Sequence, residues 1–183
     1  MSELSLLTRI ELARLGGGVE RCHMVPHQGS YSNAAHSWGV ALLMLQLFPE
    51  DFPRLAAYCI THDIPEAWVG DIPAHTKQRA PAIGQALEAM ENQIFDRLQL
   101  PRESNLQGED RAKLKACDAL ELYMWSHEQV RLGNHHAGEI LVKLSSWFEN
   151  NEHRPLPPAA AAFYNRYKMM RGPVDKTLAL ENY

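Results

Sequence analysis

His62 and Asp63 are neighbours in a stretch whose apolar spacing is helical. Leu55, Cys59, His62 and Glu66 fall on one stripe, with Asp63 beside it, on the face that should bury leucine. His36 interrupts the stripe Val40, Leu43, Leu47, and Asp118 interrupts the stripe Leu114, Leu122, Trp125, Gln129. Four ligand-type side chains thus face one interior from three helices. A single buried histidine is commonly a hydrogen-bonded core residue. The same anomaly on three helices calls for one shared partner. Burying imidazole and carboxylate unpartnered is costly, and a metal ion satisfies all four groups at once. Two imidazoles and two carboxylates suit a divalent transition metal, Zn, Mn, Co or Fe, rather than Ca or Mg alone. With a coordination position open, such an ion supplies hydroxide near neutral pH, and phosphate esters are typical targets.

The elements that must carry these residues are helices. Segment 3–15 places Leu4, Leu7, Leu12 and Leu15 on one face and stops at Gly16-Gly17-Gly18. Residues 19–33 are rich in turn formers. Helices are predicted over 34–48, 52–67, 81–98, 108–132, 136–150 and 158–170. Pro53 suits a first turn, and Pro65 is expected to kink the end of 52–67. Residues 68–80, with the turn signal Gly70-Asp71-Ile72-Pro73, are expected to be loop. In 81–98 the helical stripe is Ile83, Leu87, Met90, Ile94 and Leu98. Period-two alternation is sustained nowhere. The fold class is therefore all-α, a compact bundle of about six to seven helices forming one domain over 1–183.

Composition narrows the function classes. The 183 residues are 45% apolar and 22% charged, with a formal net charge of -4. A basic excess, the usual mark of duplex binding, is missing, so a nucleic-acid polymer is not the expected partner. Cys22, Cys59 and Cys117 are odd in number and widely spaced, which argues against a disulfide framework or a Cys-rich zinc site. No apolar run approaches membrane-spanning length, and the charged N-terminal segment does not read as a signal peptide, so a cytoplasmic protein is expected.

The order His36, His62-Asp63, Asp118 resembles the H…HD…D pattern of the HD-domain metal-dependent phosphohydrolases. The run His62-Asp63-Ile64-Pro65-Glu66, then Gly70-Asp71-Ile72-Pro73 and Lys77, resembles the YfbR-type 5′-deoxynucleotidases and related small, often phage-encoded HD deoxynucleoside triphosphohydrolases. Ala35-His36-Ser37-Trp38 and Lys115-Ala116-Cys117-Asp118-Ala119-Leu120 fit the same group, so the likeness spans roughly residues 5 to 150. It implies an HD-type helical domain with metal ligands His36, His62, Asp63 and Asp118. It implies that Glu66 orients the attacking water or handles protons. Asp71 would contact the deoxyribose and the reaction centre, and Arg21 would hold phosphate. Lys77 and Lys115 are further cations for the substrate, with Cys22 and Met24 near the base. The implied reaction is hydrolysis of a dNMP or dNTP, metal-bound hydroxide attacking the α-phosphorus to release the deoxynucleoside. Two departures stand out: Cys22 replaces an aromatic residue common after the arginine, and Ala35 replaces an acidic residue common before the first ligand histidine. The latter removes an expected outer support for His36.

Two other functions fit parts of this pattern: an HD-type di-iron oxygenase, which needs more ligands, and a nucleotide-binding regulatory module without turnover. His23 and His27 form a loop pair that reads as surface rather than as ligands. A homo-oligomer, a dimer or a multiple of dimers, is expected from the resemblance. The broad apolar surface of the sixth helix, Ile140, Leu141, Leu144, Trp147 and Phe148, is compatible with one.

Overall fold

A computed structural model describes residues 3–150 and 155–172. Its helices are α1 (Leu6–Gly16), α2 (Asn33–Leu47), α3 (Phe52–Thr61), α4 (Glu66–Val69), α5 (Ala74–Arg79), α6 (Pro81–Leu98), α7 (Gly108–Arg131), α8 (Gly138–Glu149) and α9 (Pro158–Arg171). Seven are long and two, α4 and α5, are short. The described residues contain no strand, only one isolated bridge between Glu20 and Ser32. No helix among them is long and apolar enough to cross a membrane.

Two expectations need correction. The helix predicted over 52–67 is broken: α3 ends at Thr61 and α4 starts at Glu66. Pro65 has no N–H to bond to the Thr61 carbonyl, which accepts instead from Ile64 N at 3.0 Å. His62 and Asp63 therefore stand on a tight turn between two helices. The segment expected to be loop over 68–80 contains α5, which begins after Pro73. Its six residues, Ala-His-Thr-Lys-Gln-Arg, are too few and too polar to show an apolar period.

The core lies where α2 packs along α3 and α7, and α8 and α9 close over α7. Val40, Leu43 and Met44 meet Leu55 and Cys59 on one side, and Leu114, Cys117, Leu120 and Tyr123 on the other. Tyr123 meets Phe148 edge-on at 5.9 Å, and Phe148 stacks on Tyr164 at 4.4 Å, which fixes α8 and α9 against α7. Leu141 and Phe148 are buried in this contact, Ile140 and Leu144 are half-buried, and Trp147 is exposed. The predicted stripes of the peripheral helices are less buried: Leu7 and Leu15 in α1, and Ile83 and Met90 in α6, are exposed.

Two local devices set up the site. The Ser32 hydroxyl caps α2 by accepting from Ala35 N at 3.3 Å. The loop before it is pinned by Arg21 N donating to Tyr31 O at 2.8 Å and Asn33 N donating to Val19 O at 2.9 Å. Arg21 and Tyr31 thus face each other. Gly16, the buried end of α1, lies against the turn that carries His62 and Asp63. A Cβ at Gly16 would stand 2.6 Å from Ile64 Cα.

Candidate metal centre

His36 from the first turns of α2, His62 from the α3–α4 turn and Asp118 from α7 converge. Each brings one ligand atom, and these atoms all lie within 4.8 Å of one another. His36 Nε2 is 3.0 Å from Asp118 Oδ1 and 3.4 Å from His62 Nε2. Asp63 Oδ2 lies 3.2 Å from His62 Nε2 and 3.7 Å from His36 Nε2. The three-helix arrangement read from the apolar stripes is thus present in space, with Asp63 alongside.

The donor chemistry of this cluster fits a cation. His62 Nδ1 is 3.0 Å from the Cys59 carbonyl, an acceptor, so Nδ1 carries the hydrogen. His36 Nδ1 faces the Glu121 carboxylate, so it also carries the hydrogen. In the neutral rings both Nε2 atoms then present lone pairs toward each other and toward two carboxylates. Only a positive charge placed among them relieves that arrangement. Without a metal, protons take that place. Burial pushes His36 down, but Asp118 and Glu121 outweigh it and hold the imidazole at about 9. Burial opposes ionisation of Asp63 and Asp118 as well. His62 and Arg21 hold Asp63 below the usual carboxylate range, while His36 and Lys115 do the same for Asp118.

Arg21 is buried and closes one side of the cluster. Its Nη1 donates to Asp63 Oδ2, and to Asn33 Oδ1 at 3.0 Å, and lies 3.8 Å from Glu66 Oε2. Its Nε is buried with no hydrogen-bond partner. Asn33 is the crossing point of this network: its amide donates to Glu66 Oε2 at 2.8 Å and to Asp63 O at 3.2 Å. Burial, reinforced by Asp63, pushes Glu66 up to about 8 against the opposing pull of Arg21 and Asn33. Asp71 Oδ2 accepts from Cys22 N at 2.7 Å, and Cys22 sits in the left-handed region at φ 52°. Asp71 therefore pins a strained loop residue next to Arg21. Cys22 is half-buried and Met24 exposed.

The two lysines separate. Lys115 Nζ lies 3.7 Å from Asp118 Oδ2 and 2.7 Å from Glu103 Oε2, at the edge of the cluster. Lys77 is directed to Glu91 of α6 at 3.5 Å rather than to any member of the cluster. The loop histidines do not act as a pair. His27 bonds Glu20 at 3.1 Å and meets Trp125 edge-on, while His23 is exposed, 4.0 Å from Asp71.

The sequence profile of the HD domain matches residues 19–140, the span that holds all four ligand-type residues. The chain belongs to the HD-domain phosphohydrolases. A protein of Salmonella phage PMBT28 named dATP triphosphohydrolase is 33% identical over 153 residues, 75% of this chain and 76% of its own. The PH0347 protein of Pyrococcus horikoshii OT3, known from a crystal structure, matches with a TM-score of 0.69 at 17% identity. The match covers 90% of this chain and 99% of that one. At that identity the likeness speaks for the fold alone.

Three contributors to this HD-domain site are absent from the sequence reading: Asn33, Tyr31 and Glu121. Glu121 Oε2 accepts from both His36 Nδ1 and the Tyr31 hydroxyl. The position vacated at Ala35, which is exposed, is thus answered from α7. One signal is available in the sequence, since Glu121 follows Asp118 by three residues and so shares its face.

Proposed function

We propose that this protein hydrolyses 5′-deoxynucleotides, and that its substrate is a deoxynucleoside triphosphate. The observation that carries the reading is the juxtaposition of two features. Two imidazole Nε2 atoms and two carboxylates meet at one point, and beside them a buried arginine Nε has no partner. The first suits a cation and the second suits an anion, and a metal-assisted phosphate-ester hydrolase needs both. The name of the phage relative, dATP triphosphohydrolase, supports the triphosphate over the monophosphate.

His36, His62, Asp63 and Asp118 would hold one divalent transition metal, Zn, Mn, Co or Fe. Bound there, the ion would lower the pKa of water and polarise a phosphoryl oxygen. A single four-residue ligand set supports hydrolysis over di-iron oxygen chemistry.

The chain's own residues divide the remaining work. Arg21 would hold phosphate oxygens through the edge that carries its unpartnered Nε, once substrate entry uncovers that buried edge; a planar fork suits two of them at once. Lys115, already beside Asp118, adds charge for the outer phosphates if Glu103 releases it. Hydrolysis joins a water oxygen to the α-phosphorus and breaks the bond to the 5′-oxygen. The water loses a proton and the 5′-oxygen gains one. Glu66, buried and hydrogen-bonded by Asn33, would orient the water and, in its ionised form, take its proton. Asp71 fixes the Cys22 backbone and would meet the sugar. Cys22 and Met24 would border the base, with the small half-buried thiol where relatives carry an aromatic ring. Lys77 would contribute only after leaving Glu91. The products are the deoxynucleoside and triphosphate. The chain would act as one HD-type domain within a homo-oligomer.

A chromatographic screen of all dNTPs, dNMPs and their ribose counterparts with Mn, Co, Zn or Fe tests the reading. Release of a deoxynucleoside from a dNTP is expected. No release from any deoxynucleotide with any of these metals would sink it.

A further inference from the structure

We propose that Glu121 is the residue that positions His36 for metal binding, with Tyr31 and Gly39 as its built-in supports; this rests on the reading of the cluster as a metal centre.

One carboxylate oxygen of Glu121 takes hydrogen bonds from two buried donors, His36 Nδ1 and the Tyr31 hydroxyl. The two donors are themselves 3.1 Å apart, so the three groups form one closed contact. Tying up Nδ1–H leaves Nε2 as the lone-pair nitrogen and aims it at His62 and Asp118. His36 lies on α2 with its ring wholly buried, and among the described residues its Nδ1 meets only the Glu121 carboxylate and the Tyr31 hydroxyl that shares it.

Both supports are shaped for this job. Gly39, one turn beyond His36 on α2, is where the Glu121 side chain passes. A Cβ there would stand 2.5 Å from Glu121 Cγ and 3.0 Å from its Oε1. Even alanine would push the carboxylate aside. The Tyr31 ring stacks on Trp125 at 4.3 Å and 11°, and its backbone N donates to Glu20 at 2.8 Å. The hydroxyl is thereby delivered to Glu121 with little freedom. The Arg21 guanidinium lies 5.8 Å from the centroid of the same ring. Tyr31 thus touches both the outer support of the metal ligand and the phosphate-side arginine. In this chain a carboxylate on α7 does what an acidic neighbour of the first histidine would do.

The test uses the full chain and cobalt(II) as the probe, with affinity from chelator competition and geometry from the visible spectrum. Glu121→Gln keeps the shape and removes the charge, Glu121→Ala removes the contact, and Tyr31→Phe removes the second donor. By analogy with outer-shell partners elsewhere, cobalt binding should weaken about 10- to 100-fold in Glu121→Ala, with a changed spectrum. Smaller losses are expected for the other two. Gly39→Ala should weaken binding in the parent and change nothing further in the Glu121→Ala background. A purely structural role of Gly39 would give equal losses in both backgrounds, and that result overturns the proposal. So do parent-like affinity and spectrum in both Glu121 variants. Should Glu121→Ala fail to fold, by circular dichroism, Glu121→Gln and Tyr31→Phe carry the comparison. A parent that binds cobalt but hydrolyses no deoxynucleotide retires the hydrolase reading, while the affinity ratios still decide this one. A parent that binds no cobalt overturns it.

Discussion

Arg21 and Asp63 pair across the gap between the loop and the α3–α4 turn, and the pairing occupies only part of the guanidinium. Nη1 serves Asp63 and Asn33, whereas the buried Nε serves nothing. One arginine thereby holds the Asp63 carboxylate of the cluster, and in the proposed reaction its other edge would serve the substrate. Arg21→Ala should lose both functions. Removing one partner of a buried pair costs about 3–5 kcal/mol. Denaturant melts should show most of that loss in metal-free protein and less after metal is added, because the ion replaces the lost positive charge. Arg21→Lys should restore stability in part but not turnover, since a point charge cannot copy the fork.

Metal affinity should rise with pH. In metal-free protein His36 titrates at about 9, above the ordinary value of 6.5. Its stabilising contribution to that form is fully present below about 6.5 and fades as pH rises through about 9. A metal needs the Nε2 lone pair, so binding expels the proton. Calorimetry in two buffers of different ionisation heat should detect proton release near neutral pH, and the pH dependence of affinity should flatten above about 9. A pH-independent affinity between 6 and 9 would contradict this.

On the proposed function, Lys115 should separate substrates by phosphate number. Its amine stands 3.7 Å from Asp118 yet is half in solvent, so its charge is partly screened. Lys115→Met should raise KM for dNTPs by up to about fivefold, the range of a screened charge, with little change for dNMPs. Steady-state kinetics with the two substrate types checks it. Equal effects on both would place the lysine away from the outer phosphates.

Gly16→Ala should damage the site without touching a ligand. The added carbon would stand 2.6 Å from Ile64 Cα and 2.9 Å from Ile64 O, both backbone atoms that cannot swing away. Overpacking of this kind costs about 1–3 kcal/mol. Thermal melts should show the loss, and cobalt affinity should fall with it because Ile64 comes directly after the His62-Asp63 pair. Gly18→Ala is a fitting control, since its nearest contact would be an ordinary 3.5 Å.

Chelation should destabilise as well as inactivate. Metal at about 100 times its Kd adds roughly 2.7 kcal/mol to the folded state. A scan with and without a chelator should show a matching drop in melting temperature, reversed by adding metal back.

The candidate cluster is legible in the sequence because helical periodicity makes a buried polar residue conspicuous: His36, His62 and Asp118 each stand where an aliphatic side chain is due. The supports are not, for different reasons. Glu121 lies three residues beyond Asp118, but its meaning depends on Gly39 of α2, and no single-helix pattern shows that a glycine there is making room. Asn33 reads as an ordinary residue at a helix start, yet it joins Arg21, Asp63 and Glu66. α5 escapes a reading by periodicity because six residues, five of them polar, carry no apolar period. Its place in a motif makes Lys77 an expected substrate contact, and the docking of α5 on α6 sets its amine 3.5 Å from Glu91.

The break at Pro65 governs how this site tolerates change. Since proline forbids the two segments from rewinding into one rod, α3 and α4 cannot trade residues, and the register of His62 against the core is fixed at Cys59. One residue inserted within α3 would swing the His62-Asp63 turn by about 100° around the helix axis. The same insertion after Glu66 would leave that turn in place and displace only α4 and the segment beyond it. The chain between the turn and α5 can therefore vary in length while His62 and Asp63 keep their positions in the cluster.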